Sequence, residues 1–208
     1  MAQPVFFLLA GPNGAGKSSL YRAAAAEGLI PADAEFVNAD LHEAAHLQHI
    51  ADLQARSEQA RRWADGRRAD LLRRGQSFVS ETVFSHESKL TLIKEAQQNG
   101  FAVVLLVVCL DDPQRLLARV RQRVQEGGHD VPAERILARY PRTLKNLTLA
   151  VRCADLVMLY DSGNDSGSDG VNMPVRVAIC RGQETKTLVP NLPDWASVVL
   201  MAFLYPVS

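Results

Sequence analysis

Three sets of residues in this 208-residue chain have types and spacings suited to chemistry. The first is the run Gly11-Pro-Asn-Gly-Ala-Gly-Lys-Ser-Ser19, which matches the phosphate-loop spacing Gly-x-x-x-x-Gly-Lys-Ser. Glycines at 11, 14 and 16 let the backbone close around an anion with its N–H groups turned inward, and a following helix adds the positive end of its dipole. Asn13, Ala15 and Ser19 complete the loop. Lys17 is placed to reach the β- and γ-phosphates of ATP, and the Ser18 hydroxyl to ligate Mg²⁺. The second set is Asp40, closing "EFVNAD", and Glu81, in "SFVSETV". One carboxylate of this kind can take the proton of an attacking hydroxyl while another orients the acceptor. Asp40 also suits a helix cap, which needs the same strand-end position. The third set is arginine: Arg115, Arg119 and Arg123 recur every four residues and share a helix face, and Arg135, Arg139 and Arg142 follow after Gly127-Gly128.

The elements that must position these residues are legible as short apolar runs: 5–10, 35–39, 77–83, 102–110 and 155–160, separated by helix-compatible stretches. Near-continuous apolar strands between helices predict a P-loop kinase-type α/β fold, a parallel sheet with helices on both faces. In such a sheet the C-terminal strand ends line one crevice, so the loop at 11–18, Asp40 and Glu81 should meet there. Gly28, Gly75 and Gly100 read as helix stops, and Asp112-Pro113 as a cap with proline in the first turn rather than an acid ending a strand. Residues 41–74 read as one long, Arg-rich helical region, its arginines mostly a solvated face balanced by acids. The stretch 113–150 reads as an arginine-bearing helical lid hinged at Gly127-Gly128, with His129 an ordinary loop histidine. In it Arg119, Arg123, Arg139 and Arg142 close on the phosphoryl group, while Arg115, Arg121 and Arg135 stay solvated. Residues 161–174 read as a polar surface loop, and "WASVVLMAFLY" as a docked terminal helix.

Bulk properties narrow the function. With 47% apolar and 22% charged residues the chain suits one globular domain spanning 1–208, and its 23 basic and 23 acidic residues leave no global field for a polyanion. A nucleic-acid partner is therefore not expected, although the basic stretch 56–74 is the place for one. Cys109, Cys153 and Cys180 read as reduced thiols. The N-terminal apolar run lacks a basic n-region, and neither end has the roughly 20 apolar residues of a membrane span. A cytoplasmic protein without membrane contact is the expectation. No N-K-x-D base-reading motif occurs, which argues against a GTPase. A small-molecule kinase and an ATP-binding regulatory module with slow ATPase activity both remain open, and acceptor dependence separates them.

The segments "GPNGAGKSS", "FVNAD", "SFVSETVFS", "RVRQRVQEGGHDVPAERILARYPRTLKNL" and "ADLVMLYDS" together resemble the zeta-toxin family of P-loop kinases in its short Gram-negative form, over about residues 5–162. The resemblance implies ATP- and Mg²⁺-dependent phosphorylation of a small-molecule hydroxyl, that of a nucleotide sugar such as UDP-N-acetylglucosamine, and restraint by an antitoxin protein. It matches Lys17 and Ser18 to the phosphate-loop lysine and metal ligand, Asp40 to the base, Glu81 to the acceptor-contacting acid, and Arg142, with Arg119, Arg123 and Arg139, to the lid arginines. Larger members hold the sugar nucleotide with a threonine and an arginine after the glutamate; here Val83 and Ser85 stand nearest those places. An antibiotic or nucleoside is the alternative acceptor.

Overall fold

A computed structural model describes residues 2–126, 131–163, 173–182 and 184–204. Five strands run parallel, β1 (Val5–Ala10), β2 (Glu35–Val37), β3 (Phe78–Thr82), β4 (Ala102–Cys109) and β5 (Leu156–Asp161), in the order β2-β3-β1-β4-β5. The sequence places all five. Two more, β6 (Val175–Arg181) and β7 (Glu184–Thr187), extend the sheet antiparallel beyond β5. They lie past the last apolar run singled out from the sequence; the signal was Val-Arg-Val-Ala-Ile-Cys-Arg before Gly182, a half-buried alternation ending at a left-handed glycine (φ 59°).

The helices are α1 (Lys17–Ala26), α2 (Ala39–His46), α3 (Leu53–Arg74), α4 (Lys89–Gln98), α5 (Pro113–Gln125), α6 (Ala133–Ala150) and α7 (Asp194–Leu204). Strand alternation splits the core in two. Phe6 and Leu8 of β1 pack with Phe78, Ile93, Phe101 and Trp195 on the α3, α4 and α7 face, whereas Phe7 and Leu9 pack with Leu20, Leu116 and Val120 on the α1 and α5 face.

The expected helix stops hold, with Gly28, Gly75 and Gly100 all left-handed. The single helical region over 41–74 does not. It is two helices, α2 and α3, because the chain breaks at 47–52 and restarts where Asp52 accepts a bond from the Ala55 N–H at 2.6 Å. Arginines of α3 also do more than face water. Arg67 grips Glu35 of β2 through two bonds, 2.7 Å and 2.5 Å, and Arg68 bonds Ser80 of β3 and Asp65.

Helix α6 connects the two halves of the core. Ile136 near its start packs on the α1 and α5 face, Leu147 and Ala150 near its end pack on the other, and Tyr140 between them touches both. The helix therefore crosses the C-terminal edge of the sheet. Pro141 lies inside it, so Arg139 and Arg142 share one helix instead of being separated by the proline. The hinge at Gly127-Gly128, His129 and the 164–172 part of the polar loop lie outside the described residues. Either side of that hinge, α5 buries Leu116, Leu117 and Val120, and α6 buries Ile136, Thr143 and Asn146.

Candidate active site

The phosphate loop joins β1 to α1, and contacts with its neighbours dictate its glycines. A Cβ on Gly11 would stand 2.0 Å from the Val108 carbonyl oxygen of β4, and one on Gly14 (φ 81°) 2.6 Å from the Leu116 carbonyl oxygen of α5. The loop thus rests on backbone on both sides, and no side chain fits between. Helix α1 starts at left-handed Gly16 without a side-chain cap, which leaves its first-turn N–H groups for a ligand. Ala15 contributes backbone only, since its methyl is fully buried. Asn13 Oδ1 is buried with no hydrogen-bond partner among the described residues. A half-turn of that amide would present an N–H₂ donor, which suits an anion in the loop.

Lys17 is buried, and its Nζ donates to the Gly11 and Pro12 carbonyls at 3.0 and 3.1 Å. Its third neighbour is Glu81 Oε1, at 3.6 Å. Glu81 reaches that place because β3 pairs in register with β1, Leu9 opposite Glu81, and because the Gly11 N–H bonds the Thr82 carbonyl at 3.3 Å. The other Glu81 oxygen accepts from Asn38 Nδ2 at 3.2 Å. The structure therefore brings Lys17, Glu81 and the start of α2 together.

Asp40 differs from expectation. Strand β2 stops at Val37, and the residue capping α2 is Asn38, whose Oδ1 accepts from the N–H groups of Asp40 and Leu41 at 2.9 and 3.2 Å. Asp40 is instead the second residue of the helix, with its carboxylate exposed. Sequence reasoning missed Asn38, although an asparagine two residues ahead of a helical acid is itself a cap signal. Asp112 caps α5 as expected, accepting from Gln114 at 2.8 Å. Asp111 accepts from the N–H groups of Asp194 and Trp195 and so caps α7.

The arginines divide. Arg119 donates to the Ser162 carbonyl at 2.7 Å and its hydroxyl at 3.1 Å, and Arg115 to the Gly163 carbonyl at 2.6 Å. Both hold the chain leaving β5, so Arg115 is not the solvated residue expected. Arg123 is exposed in the last turn of α5. Arg139 is half-buried on α6, its guanidinium pKa pushed down by burial and by the charges of Arg135 and Arg142. The next residue, Tyr140, donates its hydroxyl to the Leu110 carbonyl at the end of β4 at 2.8 Å. Arg142 is exposed, and its Nε donates to the Ala138 carbonyl of the same helix at 3.1 Å. Burial pushes the Cys109 thiol up to about 12, and the cysteines are free, as expected. No helix among the described residues is long and apolar enough to cross a membrane.

Searches for similar proteins agree with this architecture. Among solved structures, the AvrRxo1-ORF1:AvrRxo1-ORF2 complex superposes with a TM-score of 0.70 at 20% identity, covering 95% of this chain and 64% of that one. The same pair solved with ATP gives 0.61 at 20% identity over 97% and 64%. A structure of the PezAT chromosomal toxin–antitoxin system of Streptococcus pneumoniae gives 0.58 at 16% identity over 77% and 68%. The chain spans less than two thirds of the length of its AvrRxo1 relatives. No curated protein sequence matches. The zeta toxin family model matches residues 1–166, which cover the phosphate loop, Glu81 and all of α6, and the chain belongs to the zeta toxin family.

Proposed function

We propose that the protein is an ATP-dependent kinase that transfers the γ-phosphate to a hydroxyl of a small molecule, a nucleotide sugar such as UDP-N-acetylglucosamine. The observation that carries this reading is the contact chain Lys17–Glu81–Asn38, which links the phosphate loop to the helix start bearing Asp40. A regulatory nucleotide-binding module has no need of an acidic residue held against the phosphate-loop lysine and tied to a second element. AvrRxo1 solved with ATP supports the choice of nucleotide, and family membership supports the toxin role.

In this reading the phosphate loop and the first turn of α1 hold the α- and β-phosphates, and Lys17 turns from the loop carbonyls to the β- and γ-phosphates. Glu81 orients the acceptor. Asp40 accepts the hydroxyl proton as the acceptor oxygen bonds to γ-phosphorus and the bond to the ADP oxygen breaks. Arg139 and Arg142 stabilise the charge spreading over the transferring phosphoryl group. The Ser18 hydroxyl, exposed in the first turn of α1, would hold Mg²⁺ together with phosphate oxygens; no set of three His, Cys, Asp or Glu among the described residues offers an alternative protein site. The ion would offset phosphate charge. Toxin–antitoxin assemblies among the structural relatives support a protein partner that restrains the enzyme. We place the reaction in the cytoplasm, where ATP and nucleotide sugars are found.

Mass spectrometry of UDP-N-acetylglucosamine, and of a whole metabolite extract, incubated with protein, ATP and Mg²⁺ tests the proposal. One metabolite should gain a single phosphate and lose that gain with Lys17→Ala. ATP hydrolysis at one rate with or without every metabolite, and no phosphorylated product, would leave only the regulatory module.

A further inference from the structure

The segment after Glu81 is held in an unusual way. Phe84 has φ 60°, the one positive φ outside glycine among the described residues, and it is fully buried. A bulky L-residue in this left-handed region is strained and persists only where its surroundings over-determine it. Here they do. The Phe84 N–H donates to Thr82 Oγ1 at 3.1 Å, Thr143 Oγ1 donates to the Val83 carbonyl at 3.0 Å, and Asn146 Nδ2 donates to the Phe84 carbonyl at 3.0 Å. Thr143 is fully buried and Asn146 nearly so. Two polar side chains in a core cost stability unless each bond is made, and core packing alone would be served by apolar residues.

The position of this clamp gives it a use. Thr143 and Asn146 follow Arg139 and Arg142 by one helical turn each, four residues on, so the rod that carries the arginines also grips the loop that carries on from Glu81. The same loop is fastened to the phosphate loop through the Gly11 N–H and the Thr82 carbonyl.

We propose that Thr143 and Asn146 are positioning residues: acting through Val83 and Phe84, they set Glu81 and the acceptor loop at a fixed register against the α6 arginines. The inference rests on the kinase reading above. It requires neither residue to touch substrate, and it makes the strained Phe84 turn a device for aiming the loop instead of a packing accident.

The test uses the full chain as wild type, Thr143→Val, Thr143→Ser, Asn146→Leu and Thr82→Val, with melting temperatures measured first. Thr82→Val removes the third bond without entering α6, and stands in if either buried variant fails to fold. Three quantities are read: affinity for a fluorescent ATP analogue, transfer to UDP-N-acetylglucosamine, and hydrogen exchange of the 80–88 amides. Thr143→Val and Asn146→Leu should bind the analogue within about twofold of wild type yet transfer phosphate about 10- to 100-fold more slowly, the size expected for small misplacement of reacting groups. Exchange over 80–88 should accelerate, and Thr143→Ser should restore both. Transfer by Thr143→Val at the wild-type rate would overturn the proposal. So would a loss of ATP affinity in step with transfer, which marks general damage. Should wild type leave UDP-N-acetylglucosamine unphosphorylated, that acceptor falls while the clamp is judged on exchange alone: acceleration rescued by serine upholds it, and unchanged exchange in Thr143→Val and Asn146→Leu overturns it.

Discussion

Asn38 does two things with one amide, and they can be pulled apart. Its oxygen caps α2, which aspartate does equally well, while its N–H₂ group bonds Glu81, which aspartate cannot. Asn38→Asp should therefore keep α2 capped, with the amides of its first turn as protected from hydrogen exchange as in wild type. The same change sets two carboxylates facing each other beside Lys17, and phosphate transfer should fall at least about tenfold. Asp40 poses the converse case. Because Asn38 makes the cap, Asp40→Asn removes no cap bond, and a normal melting curve is expected. Transfer at saturating ATP should drop at least about a hundredfold if Asp40 takes the acceptor's proton. Calorimetric ATP binding should hold; a drop of less than tenfold would move the base to Glu81.

At the scale of elements, α6 and α3 carry the tests. Arg139→Ala and Arg142→Ala should lower kcat more than ATP affinity, since a guanidinium aimed at developing charge counts most in the transition state. Arg119→Ala should act differently: the residue holds Ser162, so its loss should first appear as faster exchange of the β5 end. On α3, the Arg67 guanidinium holds the Glu35 carboxyl below the usual carboxylate range. Folded protein then binds that proton less readily than unfolded chain. The pair's contribution is complete above the unfolded glutamate value, about 4.3, and is lost as pH falls through the lower folded value. Both side chains are about a third exposed, so solvent screening keeps the contribution small. The stability gap between wild type and Glu35→Gln should be largest at neutral pH and shrink as pH falls below the unfolded glutamate value.

Across the whole molecule, the C-terminal part extends the sheet by β6 and β7 and packs α7 against it. Trp195 is buried under the sheet, and its indole N–H donates to Asp161 at 2.9 Å, while Asp111 caps the same helix from the end of β4. Trp195→Phe keeps the ring but leaves the buried Asp161 carboxylate short of a donor, which should cost about 1–3 kcal/mol by denaturant titration. What the residues determined by themselves was whatever depends on local pattern. Glycine spacing in 11–16 reads as a phosphate loop, and apolar runs between helical stretches that stop at Gly28, Gly75 and Gly100 read as strands between helices, so the parallel sheet and its crevice were legible. What tertiary structure decided was each choice between residues of equal local merit. Asn38 and Asp40 are both good caps, and only the end of β2 at Val37 assigns the cap to Asn38 and frees Asp40. Arg119 and Arg139 both lie on amphipathic helices, and only the tertiary structure sets Arg119 against Ser162 at the end of β5 and half-buries Arg139 on the helix that crosses the sheet edge. The physical reason is range: caps, turns and periodicity act within a helical turn, whereas the partner of a charged side chain is set by contacts between residues tens of positions apart.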